Sequence, residues 1–329
     1  MSSASPTPHI TSVHPGWAVA GGRVTVEGRD FDLDTLPNVL VGTRPARIVF
    51  ASSRALTVVV PDGVEGRVPV HLEGANSEIT LHVGTPVATG LHQVDSPVVD
   101  RDGNLYVTYS GTRNEQAPVS IFRVGADGSR EPFASGIPNP TSMAFDPSGQ
   151  LYVSSRFEGR VYRVSSTGQV AVAATELGVA SGIAFDGDGQ LFVGDRSGTI
   201  FRMDAADHTV VHASLPQSIA AFHLAHGPDG CLYVTAPTLA PADVVYRISP
   251  SGTVDVVRTG FGRPQGLGFD AQGTLHVVEA LAGAAGLYRL PLRGPAELVL
   301  AAASLVGVAF GPGGGIVVTS NDTAYRLSL

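Results

Sequence analysis

Three carboxylates, Asp95, Asp195 and Glu279, are the residues of this chain best placed to do chemistry. They stand at corresponding ends of strands in alternate copies of a repeated pattern, so closing the copies into a ring would set them around one axis. Carboxylates held near one another repel, and each raises the others' pKa unless a cation or bases compensate. A divalent cation, Ca²⁺ or Mg²⁺, suits such an all-oxygen set. In that reading Asp195 or Glu279 is the base and the cation polarises a carbonyl. The same residues fit a second reading, a water-filled polar channel in which each acid caps a loop or pairs with Arg156 or Arg196.

Other polar groups share these positions. Thr141, Ser181 and Gln265 would add neutral oxygens or hold waters beside the acids, and Tyr109 belongs to the same ring. His223 stands where other copies carry Gly, Ser or Pro, which opens a ligand or acid/base role. With Arg156 and Arg196 these form the expected substrate-binding set. His226 and His276 lie within strands and read as packed histidines, and Cys231 follows a turn, where no chemistry is expected.

The elements that position these groups come from internal repetition. SMAFDPSGQLYVSS from Ser142, SGIAFDGDGQLFVGD from Ser181 and QGLGFDAQGTLHVVE from Gln265 are copies of one pattern. Further copies begin at Pro97, His223 and Gly307. Each reads as an apolar strand, an Asp/Gly turn and a second alternating strand, a hairpin signature. The turn glycines Gly103, Gly149, Gly189, Gly230, Gly273 and Gly314 recur every 40 to 46 residues, the span of a four-stranded propeller blade. A third strand carries an arginine at one equivalent position in every copy (Arg123, Arg163, Arg202, Arg247, Arg289, Arg326), which reads as a structural element with a snorkelling side chain.

Fourth strands follow five of the copies, and the chain stops after the third strand of the last. The missing one appears upstream as TPVATGL from Thr85, so an N-terminal strand is expected to close the ring and remove its free edges. The fold class is therefore all-β: a six-bladed β-propeller over residues 85–329, closed by that strand. The connections 111–118, 236–243 and 279–286 are the long ones, as pocket walls or lids would need.

Residues 1–84 do not share the repeat. PHITSVHPGWAVAGGRVTVEGRDF from Pro8 and RALTVVVPDGVEGRVPVHLEG from Arg54 resemble IPT/TIG domains, which implies an immunoglobulin-like β-sandwich joined stiffly to the propeller. The 40 glycines, 23 prolines and 15% charged residues suit turns and short strands. A net charge of -8 argues against nucleic acid or an anionic membrane as partner. One cysteine leaves no intrachain disulfide and no thiolate cage. With no signal peptide visible at the N-terminus, a cytoplasmic location is expected.

The blades resemble NHL-type propellers and the gluconolactonase/regucalcin superfamily. That resemblance implies a metal-dependent lactonase whose cation is held by Glu, Asn and Asp. Asp95 in DSPVVD stands where the family often has Glu, while Thr141 and Ser181 stand at its Asn and Asp positions. The chain also resembles streptogramin B lyase propellers, which carry a His at the first-strand end and a Glu fourteen residues later. Gln265 and Glu279 match that pair, keeping the Glu. Two functions are thus expected as alternatives. One is a lactonase-like hydrolase acting on a small lactone or ester in the central pocket, with a divalent cation and no organic cofactor. The other is a non-enzymatic scaffold whose rim and IPT/TIG domain recognise protein or carbohydrate.

Overall fold

The computed structural model describes residues 7–73, 75, 77–91, 96–110, 117–204, 208–281, 283 and 285–328. Strands His9–His14, Arg23–Arg29, Ala55–Val59 and Arg44–Ala51 pair in that order, followed by Val39–Val41, Gly66–Leu72 and Glu78–Val83. Alternation decides which side chains they bury: Val24 and Val26 of one strand meet Leu56, Val58, Val70, Leu72 and Leu81 of others in a single core. This is the immunoglobulin-like unit.

Four of the later repeats each form an antiparallel sheet of four strands in chain order, exemplified by Ala180–Phe185, Leu191–Asp195, Thr199–Met203 and Thr209–Ser214. The turns explain the repeated Asp and Gly. Asp186 Oδ1 accepts the backbone N–H groups of Asp188 and Gln190, and Asp146 and Asp270 do the same in their own turns. The glycine that follows adopts positive φ, 82° at Gly189, a conformation that side chains resist. Several third-strand arginines are structural, as expected: Arg123 pairs with Glu131 at 2.6 Å and Arg247 with Asp229 at 2.9 Å.

The expectation of six separate blades needs one correction. Five four-stranded sheets stand alone. The strands of the remaining repeat, Pro264–Phe269, Leu275–Glu279, Gly286–Leu290 and Glu297–Ala301, keep the same order but continue into the N-terminal unit as one 12-stranded sheet. The bridge is the short strand Trp17–Ala18, whose Ala18 pairs in parallel with both Val83 and Ala301. Trp17 also stacks on His82, with ring centroids 4.3 Å apart. The ring is closed as the sequence suggests: Thr85–Ala88 pairs antiparallel with Ala324–Ser328. Among the described residues no helix is long and apolar enough to cross a membrane.

Candidate functional site

The first strands of the repeats surround a cavity of about 280 Å³. Its walls are apolar where Met143, Ile183, Leu224, Leu267 and Val308 face it, and polar where Ser96, Ser142 and His223 do. The last three share one alignment position, seven residues before the turn glycine, where the other copies carry Gly182, Gly266 and Gly307. Two of those glycines are required by close approach. A Cβ on Gly266 would lie 2.8 Å from Gly307 Cα, and one on Gly182 would lie 2.4 Å from the Phe222 carbonyl oxygen. The strands therefore crowd together there, and the side chains at the other three positions provide the polar surface of the cavity.

His223 opens the strand His223–His226 and is only 2% exposed. Its Nε2 lies 3.3 Å from Gln265 Oε1, and its Nδ1 lies 3.5 Å from Ser96 Oγ. In the tautomer that donates its Nε2 proton to the Gln265 amide oxygen, Nδ1 presents its lone pair to the Ser96 hydroxyl. Gln265, 7% exposed, stands one position before the cavity-facing residue of its strand, and its backbone carbonyl accepts the Thr235 hydroxyl. Three elements far apart in sequence thus meet in one buried polar cluster at the cavity wall.

The two described carboxylates are placed differently. Glu279, 2% exposed, accepts three backbone N–H groups: Gly262 at 2.7 Å on Oε2, and Arg263 at 2.8 Å and Leu281 at 2.7 Å on Oε1. Asp195 accepts the Val179 N–H at 2.7 Å and the Ser197 hydroxyl. Each carboxylate ties together the loops at its own blade's rim, and neither lines the cavity. Burial pushes the Tyr288 phenol up, and the nearby Glu279 charge adds to the shift. Asp95 lies outside the described residues. Among the described residues no three His, Cys, Asp or Glu side chains gather to hold a metal. Both oxygens of Glu279 are turned to backbone N–H groups, and those of Asp195 to one backbone N–H and the Ser197 hydroxyl.

The other expected ligand residues divide in the same way. Ser181 Oγ donates to the Gly194 carbonyl and accepts the Phe222 N–H, so it joins neighbouring blades. Thr141 Oγ1 donates to the Asn139 carbonyl, and Arg196 reaches the Ile219 carbonyl at 3.0 Å. Tyr109 packs edge-on against Phe122, and Arg156 is half-buried at the rim. None of these lines the cavity. Of the long connections, 236–243 is held by Asp243, whose carboxylate accepts the Thr238 N–H and hydroxyl, leaving Leu239 at the tip 87% exposed. Residues 111–116, 282 and 284 of the other two lie outside the described residues. Cys231 is buried, and burial pushes its thiol up, away from reactivity. Ser96 and Ser142 are the cavity residues that repeat alignment alone passes over, although they share the position that made His223 stand out.

Comparison with known proteins agrees with this architecture. Residues 8–91 match the IPT/TIG domain family, and that match includes the strand that closes the propeller. The N-terminal unit is an IPT/TIG domain. No curated protein matches the chain. A solved gluconolactonase from Xanthomonas campestris is similar over 88% of this chain and 97% of its own, at 12% identity and a TM-score of 0.61. An auxiliary nutrient binding protein from Bacteroides thetaiotaomicron is similar over 98% of both chains, at 13% identity and a TM-score of 0.57. A catalytically inactive virginiamycin B lyase from Staphylococcus aureus, solved with quinupristin, is similar over 100% of this chain and 97% of its own. Its identity is 16% and its TM-score 0.54. Likeness at these identities is likeness of fold, a β-propeller, and fold does not carry a reaction with it.

Proposed function

We propose that the chain binds a small, largely apolar molecule in its axial cavity and hydrolyses an ester or lactone bond in it, with His223 as the base. The observation that carries this reading is the buried imidazole at the cavity wall, held by Gln265 in the tautomer that aims Nδ1 at Ser96. A cavity of about 280 Å³ is near the lower end of small-molecule sites, with apolar walls and a few convergent polar groups. Asp195 and Glu279, expected from sequence as the catalytic pair, tie rim loops together through their hydrogen bonds. The full-length likeness to a nutrient binding protein favours capture without turnover as the alternative.

The test is a panel of small lactones and short-chain chromogenic esters, followed by turnover and by thermal shift with non-hydrolysable analogues. Positioned general bases contribute about 10²–10⁴-fold. Turnover should fall by about that factor in His223→Ala and persist in the presence of chelator. Melting shifts without turnover would establish the binding reading instead. Turnover that survives His223→Ala would remove His223 from the reaction.

A further inference from the structure

We infer that Ser96 is a covalent nucleophile, activated by His223 and aligned through Gln265, an inference that rests on the hydrolytic reading of the axial cavity. The three groups stand in the order a nucleophile, its base and the base's orienting partner require: Ser96 Oγ to Nδ1 at 3.5 Å, and Nε2 to Gln265 Oε1 at 3.3 Å. The first distance is longer than the roughly 2.6–3.2 Å of a tightened pair, a common feature of sites without substrate. Both Ser96 and His223 line the cavity, so a carbonyl bound there has access to the hydroxyl.

Ser96 is half-buried, and the fully buried hydroxyls elsewhere in the propeller are held differently. Ser120, Ser155 and Ser218 donate to the backbone carbonyls of Ile137, Pro138 and Pro237, bonds that hold loops together. Ser154 and Thr235 donate to the carbonyls of Ser181 and Gln265 in the next blade. Ser96 instead faces an imidazole nitrogen from a strand 127 positions away. A hydroxyl held by a carbonyl has lost its proton's freedom to a fixed acceptor, whereas an imidazole nitrogen accepts the proton and returns it.

Water is the only further reactant the reaction needs. Ser96 Oγ bonds to the substrate carbonyl carbon as its proton moves to His223 Nδ1. The carbon–oxygen bond to the leaving alkoxide then breaks, and Nδ1 returns the proton to that oxygen. In a lactone the leaving oxygen stays attached, so the acyl group on Ser96 carries a free hydroxyl. Water, losing a proton to the same Nδ1, attacks the acyl carbon; the bond to Ser96 breaks and its Oγ recovers the proton. One water is consumed and a hydroxy acid is released. Gln265 is a positioning residue: it fixes the tautomer but, being neutral, gives the imidazolium less stabilisation than a carboxylate would.

The experiment treats the full chain with a fluorophosphonate probe and maps the adduct by mass spectrometry, alongside stopped-flow hydrolysis of p-nitrophenyl acetate. One adduct per chain is expected, on Ser96, with a burst of nitrophenol of the same stoichiometry. Ser96→Ala should abolish the adduct and the burst, and His223→Ala should slow labelling by about 100-fold or more. Gln265→Leu should slow it as well, while Gln265→Glu, an acceptor-only group, should restore or exceed the original rate. Ser96→Cys, alkylated by iodoacetamide at position 96 in the folded protein, gives a second readout if the alanine variant folds poorly. Turnover retained in Ser96→Ala but lost in His223→Ala would make water the nucleophile, overturning this inference while leaving the hydrolytic cavity intact. An adduct on any other residue would also overturn it. Absence of both turnover and labelling in the unmodified protein would overturn the inference together with the hydrolytic reading.

Discussion

A carboxylate that accepts three backbone N–H groups belongs energetically to the loops that supply them. Glu279 holds Gly262, Arg263 and Leu281 in this way, joining the loop that enters its blade to the loop that leaves its second strand. Leaving a buried donor unpaired costs about 1–3 kcal/mol, and water at the half-open rim recovers part of that. Glu279→Ala should therefore destabilise the protein by about 2–4 kcal/mol, read as a lowered melting temperature, while turnover at saturating substrate changes little. Glu279→Gln, which keeps one accepting oxygen, should lie between. A variant that melts normally but has lost turnover would return Glu279 to the reacting centre.

At the scale of elements, the blades rest on turn chemistry and on closure. The Asp that accepts two N–H groups and the glycine at positive φ make each hairpin local. Closure is not local: Thr85–Ala88 must pair with the last strand of the chain. Ala88 and Leu91 beside it pack with Leu105, Val107, Val317 and Ala324 into one buried cluster. Without this strand Ala324–Ser328 would present an unpaired edge over exposed apolar surface. A chain starting at residue 85 should elute as a discrete folded species in gel filtration, and one starting at residue 92 should aggregate or melt well below it. Equal stability of the two would show that the closing strand contributes little.

Across the whole molecule, the IPT/TIG domain is fused to the propeller through hydrogen-bonded strands. Trp17–Ala18 runs between the two, and Ala301 of the propeller packs in the core of the N-terminal unit. The approach is close at Gly22, where a Cβ would lie 2.3 Å from the Ala301 carbonyl oxygen. A side chain there must push the two units apart. Gly22→Val should lower the melting temperature and split a single unfolding transition into two in calorimetry. An unchanged single transition would mean that the junction does not couple the units.

The sequence alone determined what is written in local patterns. The Asp/Gly turns and alternating strands each need only a few neighbouring residues, so the repeats, the all-β class and even the closing strand could be read from it. Six repeats were legible, but the merging of one of them with the IPT/TIG unit was not, because parallel pairing of Ala18 with Ala301 joins residues with no shared pattern. The candidate site was legible in part: His223 and Gln265 stand among the expected residues, and Ser96 is the neighbour of the expected Asp95. Aligned carboxylates pointed to the rim, where Glu279 accepts backbone N–H groups and Asp195 accepts one N–H and the Ser197 hydroxyl. The cavity is lined from the adjacent position, because successive side chains of a strand face opposite ways and an offset of one changes the face. The types of Ser96, His223 and Gln265 are in the sequence. Their meeting was decided by closing the ring, which brings first strands of separate repeats within hydrogen-bond distance around one axis.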